Sequence, residues 1–252
     1  MSTVAADTSI VFTRELRPLV RDPFSVVFTM VQPLVFLTLF GPLLDQVSGL
    51  ETGSSLQWFV PGIVVMSALF GASSTGSNLQ LEMQTGSHER MLVSPLSRSS
   101  LLLGRALKEI VPVMIQAVII VAVVTPFGFD VEPAGILVGL AIVATFAVGL
   151  GALSHALAIV SQGNAWVFWG VQQTLLFPLM LLSGMLLPID GGPGWMQVLS
   201  RFNPLTHVVD AERALFAGDL VDASVAWGIL SALAVLAVGL TVGIRAVRTG
   251  SA

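Results

Sequence analysis

Cysteine is absent from all 252 residues, which excludes disulfides, thiolate metal sites and cysteine nucleophiles. Charge is scarce too. Only 10% of the residues are charged, against roughly a quarter in a soluble domain, too few to cover a water-facing surface. The single lysine, Lys108, lies between Leu107 and Glu109. It therefore cannot belong to a phosphate-binding loop of the G-x-x-x-x-G-K-[ST] type, where glycine amides and lysine hold the phosphates. No H-E-x-x-H motif occurs, and Gly71-Ala72-Ser73-Ser74-Thr75-Gly76 lacks the spacing of a G-x-S-x-G elbow. His88, His155 and His207 are far apart. The chain reads as neither an enzyme nor a metal protein, with no cofactor of its own.

What the sequence does contain is apolar. Hydrophobic residues make up 54% of it, and mean hydropathy is +0.89. Six long apolar stretches run over about 24–44, 58–78, 101–127, 134–160, 165–187 and 223–244. Each is close to the ~20 residues a helix needs to cross a bilayer. Barrel strands would instead alternate apolar and polar residues over segments of ~10. Continuous apolar runs fit helices, which satisfy their backbone hydrogen bonds internally. The expected fold class is an all-α membrane protein. Asp7, Glu15 and Asp22 interrupt the N-terminal region, so a cleaved secretory signal is not expected.

Charge placement orients the spans. Arg14, Arg17 and Arg21 precede the first. Arg90, Arg98, Arg105 and Lys108 fall between the second and third, at the start of the latter, and Arg245 and Arg248 follow the last. Six spans put all three groups on one side, which basic flanks mark as cytoplasmic. Both termini are then inside a multi-pass protein of the cell membrane. The other side holds Asp45, Glu51, Asp130, Glu132, Asp190, Asp210, Glu212, Asp219 and Asp222, with only Arg201 and Arg213 basic. A segment at about 7–20 is amphipathic: Ile10, Phe12, Leu16, Leu19 and Val20 suit the interface, and Arg14, Arg17 and Arg21 suit anionic headgroups.

Within the spans the polar groups read as neutral: Gln32, Gln116, Gln172, Gln173, Ser154 and Asn164, with His155 near one end. They serve as interhelical hydrogen bonds, as a polar lining for a substrate path, or as both. Gly135–Gly139 and Gly239–Gly243 match GxxxG, which lets helices approach closely but also arises by chance in glycine-rich apolar helices. The external connection 188–222 is long and carries Trp195, Met196, Val198, Leu199, Phe202, Leu205, Val208 and Val209. Its spacing predicts one or two short helices at or in the membrane. Pro204 stops a helix at Asn203, which makes Asn203, Pro204 and His207 candidates for a re-entrant segment capping the pathway.

The cytoplasmic connection 79–100 is the most informative. Gly86 breaks the emerging helix, Ser87 is a candidate cap with Glu89 in the first turn, and Pro95 ends the short helix. Glu82, Gly86, His88, Glu89, Arg90, Met91, Leu92, Pro95 and Arg98 are its candidate partner-binding residues. Read from composition alone, this is an interfacial turn or a docking knob.

Glu82, Gly86, Glu89, Leu92, Ser94, Pro95, Gly104 and Arg105 resemble the coupling segment of ABC transporter permeases of the second exporter type, including the daunorubicin-resistance kind. In that segment an acidic residue, Gly-Thr-x-Glu-x-Leu, Ser-Pro and Gly-[Lys/Arg] follow in order. The sequence departs at Met83, where arginine is common, and at Ser87, where threonine is usual. Leu182-Ser183-Gly184-Met185-Leu186-Leu187-Pro188 is similar to the Ser-Gly-x-x-x-Pro ending the family's fifth helix. Phe202–Arg213 is similar to its Asn-Pro-Leu-Thr-Tyr-x-x-x-x-x-Arg, with His207 replacing the tyrosine. With the segment 17–23, the resemblance spans nearly the whole chain.

The resemblance implies one permease domain over 1–252. It has a cytoplasmic amphipathic segment (1–23), six spans, a coupling loop (79–100) and an external re-entrant segment (188–222). It also implies a second permease subunit and two separate ATPase subunits, which hold the ATP and Mg. The cargo would be an amphipathic drug, antibiotic or lipid-like molecule. A secondary transporter or channel, and a lipid-modifying membrane enzyme, are the alternatives.

Overall fold

The structure, a computed structural model, describes residues 4–21, 30–44, 55–93, 97–189 and 191–249. The described residues are mostly helical, with no strand among them. In order the helices are α1 (Val4–Arg21), α2 (Val31–Leu44), α3 (Ser55–Gln84), α4 (Ser87–Leu92), α5 (Arg98–Lys108), α6 (Ile110–Val124), α7 (Pro133–Val160), α8 (Ala165–Leu181), α9 (Gly194–Phe202), α10 (Pro204–Phe216) and α11 (Ala223–Thr249).

Among the described residues, four helical stretches are long and apolar enough to cross a membrane: Ser55–Gln84, Ser99–Phe127, Pro133–Val160 and Ala223–Thr249. Two shorter apolar helices, Val31–Phe40 and Ala165–Leu181, occupy the other places where the sequence predicts spans. The first predicted span begins at residues outside the described set. The second runs on to Gln84 as one 30-residue helix, so the connection expected from residue 79 begins inside α3.

The helix α3 forms the centre. Phe59, Val60, Ile63, Val64, Val65 and Met66 are consecutive or nearly so, and all are fully buried. A helix apolar all round must be enclosed by others, and α2, α6, α7 and α10 enclose it. The broadest packing joins α7 to α11 and to α3.

Small residues make that packing possible. Gly149 on α7 and Gly239 on α11 meet backbone to backbone, and a methyl on either would overlap the other helix. Gly243 seats Leu102, Gly135 lies against the Leu215 carbonyl, and Gly139 lies against Glu212. Both GxxxG pairs thus mark real helix contacts within the chain. Lipid is as apolar as leucine, so such close van der Waals approach is a main source of helix association in a membrane.

Proline sets two breaks. Pro112 has no N–H for the Lys108 carbonyl. The stretch from 98 to 124 accordingly divides at Glu109, whose amide reaches Ala106 instead at 3.2 Å. Pro204 takes the first position of α10, where the missing donor costs nothing.

Candidate functional site

The basic end of the bundle carries a charge cluster. Asp7, Val11 and Glu15 recur at i, i+4 and i+8, so they share one face of α1, and that face lies on α5. Val11 packs on Gly104, and Asp7 Oδ2 accepts from the Ser97 amide at 3.1 Å. Arg105 is buried between α1 and α3. Its Nε donates to Glu15 Oε1 at 3.4 Å, its Nη2 donates to Glu82, and the same nitrogen lies 3.9 Å from Met91 Sδ on α4. Arg14 reaches Glu82 at 3.9 Å and Glu15 at 3.8 Å. Two cations and two carboxylates therefore tie α1, α3 and α5 together beside α4.

Gly86 starts α4 in the left-handed region, φ 67°, where a side chain is strained. Ser87 does not cap it: the cap position is Gly86, with no side-chain bond. Ser87 Oγ instead lies 3.5 Å from Arg90 Nη2, and Arg90 is exposed. Among the predicted partner-binding residues, Glu82, Gly86, Arg90 and Met91 are thus brought to one end. The side chains of His88, Glu89, Leu92 and Arg98, and the whole of Pro95, lie outside the described residues.

A polar seam runs through the middle. Ser154 Oγ lies 2.7 Å from the Ser73 carbonyl and 3.2 Å from Gln172 Oε1, and accepts from the Gly76 amide at 3.1 Å. Gln80 Nε2 donates to the Ala158 carbonyl at 3.0 Å. Gln116 is buried with Gln172, whereas Gln32 and Gln173 are on outward-facing, exposed positions.

The expectation that span interiors hold only neutral polar groups is corrected by Glu109. It is buried inside the Ser99–Phe127 stretch, accepts from Thr75 Oγ1 at 2.8 Å and lies 3.5 Å from Lys108 Nζ. Its position at the start of the third apolar stretch hid this, because the turn that directs it inward depends on Pro112.

At the acidic end, the segment from 188 to 222 forms two short helices, α9 and α10, hinged at Asn203–Pro204. Asn203 is 4% exposed. Its Oδ1 caps α10 by accepting from the Leu205 amide at 3.0 Å, and its Nδ2 donates to the Leu179 carbonyl on α8 at 2.7 Å. Leu205 is buried and Phe202 faces outward. A cavity of about 280 Å³ opens here, lined in part by Trp58, Arg201, His207, Asp210 and Arg213.

Arg213 crosses that cavity. It stacks 3.8 Å from the Trp58 ring centroid, donates to the Trp58 and Gly184 carbonyls at 3.2 and 2.7 Å, and lies 3.6 Å from Asp210. It binds the start of α3, the end of α8 and α10 to one another. Sequence reasoning missed Asp7, Glu15 and Glu212 as structural groups; the signal for the first two is the repeat at i and i+4 with Val11.

Residues 7–217 match the ABC-2 type transporter family. This chain belongs to that family. An ABC-2 permease is a multi-pass membrane transport subunit, and the all-helical apolar bundle described above is of that kind. The chain is 31% identical to a protein named as a transport permease, ycf38, of Cyanophora paradoxa, with 83% of this chain and 76% of the relative covered. It is 24% identical to the daunorubicin resistance ABC transporter permease protein DrrB1 of Streptomyces coeruleorubidus, over 78% of this chain and 70% of that one. It is 23% identical to a protein of Mycobacterium tuberculosis named as the doxorubicin resistance permease DrrC, over 84% and 78%.

Proposed function

We propose that this ABC-2 permease is the membrane half of an ATP-driven exporter, with six spans and both termini cytoplasmic. Two permeases pair with two ATPase chains, which carry the ATP and Mg. The observation that carries this reading is the Arg105 cluster. A short polar helix between two spans touches, through Met91, the Arg105 guanidinium that also holds Glu82 and Glu15. A helix tied in this way transmits force to α1, α3 and α5 instead of moving alone. ATP binding on the partner would push α4, and the clustered charges would pass the displacement to the spans.

The buried Glu109 does not require ion coupling. Its hydrogen bond to Thr75 and its neighbour Lys108 give it a structural account. Relatives named for daunorubicin and doxorubicin resistance favour an amphipathic drug or antibiotic as cargo. The helices α9 and α10 are read as an external re-entrant segment, because the apolar side chains of α9 suit lipid better than water. Affinity purification of the tagged permease from its native membrane tests the core of this reading. An ABC ATPase should co-purify, and the purified permease alone should hydrolyse no ATP. Ion-driven uptake by the permease alone in liposomes would refute it.

A further inference from the structure

By sequence, the side holding 188–222 carries nine acidic residues and two basic ones, Arg201 and Arg213. The fold brings both cations, with His207, to the same cavity. Their states differ. Arg213 is committed to Trp58, Gly184 and Asp210. Arg201 is exposed, and its guanidinium makes no ion pair or side-chain hydrogen bond among the described residues. His207 is held beside it, with Nε2 3.0 Å from the Arg201 carbonyl and its ring tilted against Trp227 at 5.9 Å. On the same wall Thr206 Oγ1 donates to the Leu182 carbonyl at 3.1 Å and lies 3.2 Å from Ser200 Oγ.

The outer face of α9 is apolar. Trp195, Val198, Leu199 and Phe202 fall at i, i+3, i+4 and i+7 and are 63%, 52%, 47% and 81% exposed. Such a stripe lies in the interfacial plane of a membrane. Arg201 flanks that stripe on the same helix, about 110° round from its centre at 3.6 residues per turn, and lines the cavity. An apolar stripe beside a guanidinium that has no ion pair among the described residues matches one ligand chemistry: an oxyanion joined to an apolar body.

We propose that this cavity binds the anionic head, a phosphate diester or similar oxyanion, of an amphiphile whose apolar part lies along α9. Arg201 supplies the charge-assisted hydrogen bonds. The proposal rests on the reading that 188–222 meets the outer membrane surface, and it does not depend on ATP coupling.

Native mass spectrometry of the purified permease in neutral detergent tests it, using phosphatidylglycerol and phosphatidylcholine at equal mole fraction. Losing a charged hydrogen bond of about 1.5–3 kcal/mol corresponds to about ten- to hundredfold in affinity. Arg201→Gln should therefore reduce phosphatidylglycerol binding by at least about tenfold and leave phosphatidylcholine unchanged. Arg245→Gln, at the other end of the molecule, should leave both unchanged. Adding inorganic phosphate separates the sources. Competition identifies a free oxyanion as sufficient, and its failure, with Arg201 dependence intact, identifies the lipid head. Equal binding of the two lipids, or a phosphatidylglycerol preference that survives Arg201→Gln, overturns the site. Either result leaves ATPase co-purification unaffected, so the two readings fail separately.

Discussion

Gly139 on α7 lies directly against the carboxyl of Glu212 on α10, and a methyl at Gly139 would overlap that carboxyl. Glu212 is fully buried, and neither of its oxygens has a hydrogen-bond partner among the described residues. A lone buried carboxylate is costly, so such a group keeps its proton. Burial pushes the Glu212 carboxyl up from 4.5 to about 8.

A folded-state pKa above the unfolded one means that folding takes up a proton. The stabilising contribution of Glu212 is complete below about 4.5 and is lost as pH rises through about 8. The melting temperature in detergent should accordingly fall over that window. Glu212→Gln, which mimics the neutral acid, should flatten the fall. Identical pH profiles for the two proteins would contradict a protonated Glu212.

Removing Arg105 should loosen the basic end. Arg105→Ala leaves Glu15 and Glu82 with only the half-exposed Arg14, at 3.8 and 3.9 Å, and breaking a buried pair costs up to about 3–5 kcal/mol. Hydrogen exchange should speed up first in α1, which Arg105 holds through Glu15. Arg105→Lys restores the charge but not the fork geometry, so it should recover only part of the protection. Unchanged exchange in α1 for Arg105→Ala would show that Val11 and Asp7 suffice.

Glu89 is the residue of α4 expected to matter most to the partner. A charge-assisted bond to an ATPase arginine or lysine is stronger than a neutral one, and losing one partner of a desolvated pair costs roughly 2–5 kcal/mol. Glu89→Ala should therefore weaken ATPase co-purification or uncouple hydrolysis from transport at equal expression, and His88→Ala should do less. Wild-type behaviour of Glu89→Ala in both assays would remove the docking role.

Topology is open to single-cysteine labelling, since the chain has no cysteine. Ser48→Cys should react with an impermeant thiol reagent in intact cells, and Ser2→Cys should stay protected until the membrane is opened. The reverse pattern would place the basic end outside.

Membrane residence, the all-helical class and the basic-end/acid-end asymmetry are properties of the sequence by itself. Each follows from local quantities: the length of apolar runs, the absence of alternation, and the count of arginines in each connection. The breaks at Gly86 and Pro204 were legible for the same reason, because backbone restrictions act within a few residues. The family resemblance was legible in ordered short motifs.

What only the tertiary structure decided is which side chains meet across long stretches of chain. Glu109 reads as a charge at the edge of a span; Pro112 breaks the helix there, and Thr75, 34 residues away, donates a hydrogen bond to it. Glu212 reads as one acid among nine on its side, but helix packing closes around it through Gly139. Arg201 and Arg213 read as alike, yet only Arg213 finds Trp58, which is 155 residues distant. Periodicity places a residue on a face of its own helix. Which helix covers that face depends on how the glycines of α7 and α11 let backbones approach, a many-body packing outcome that no local window contains.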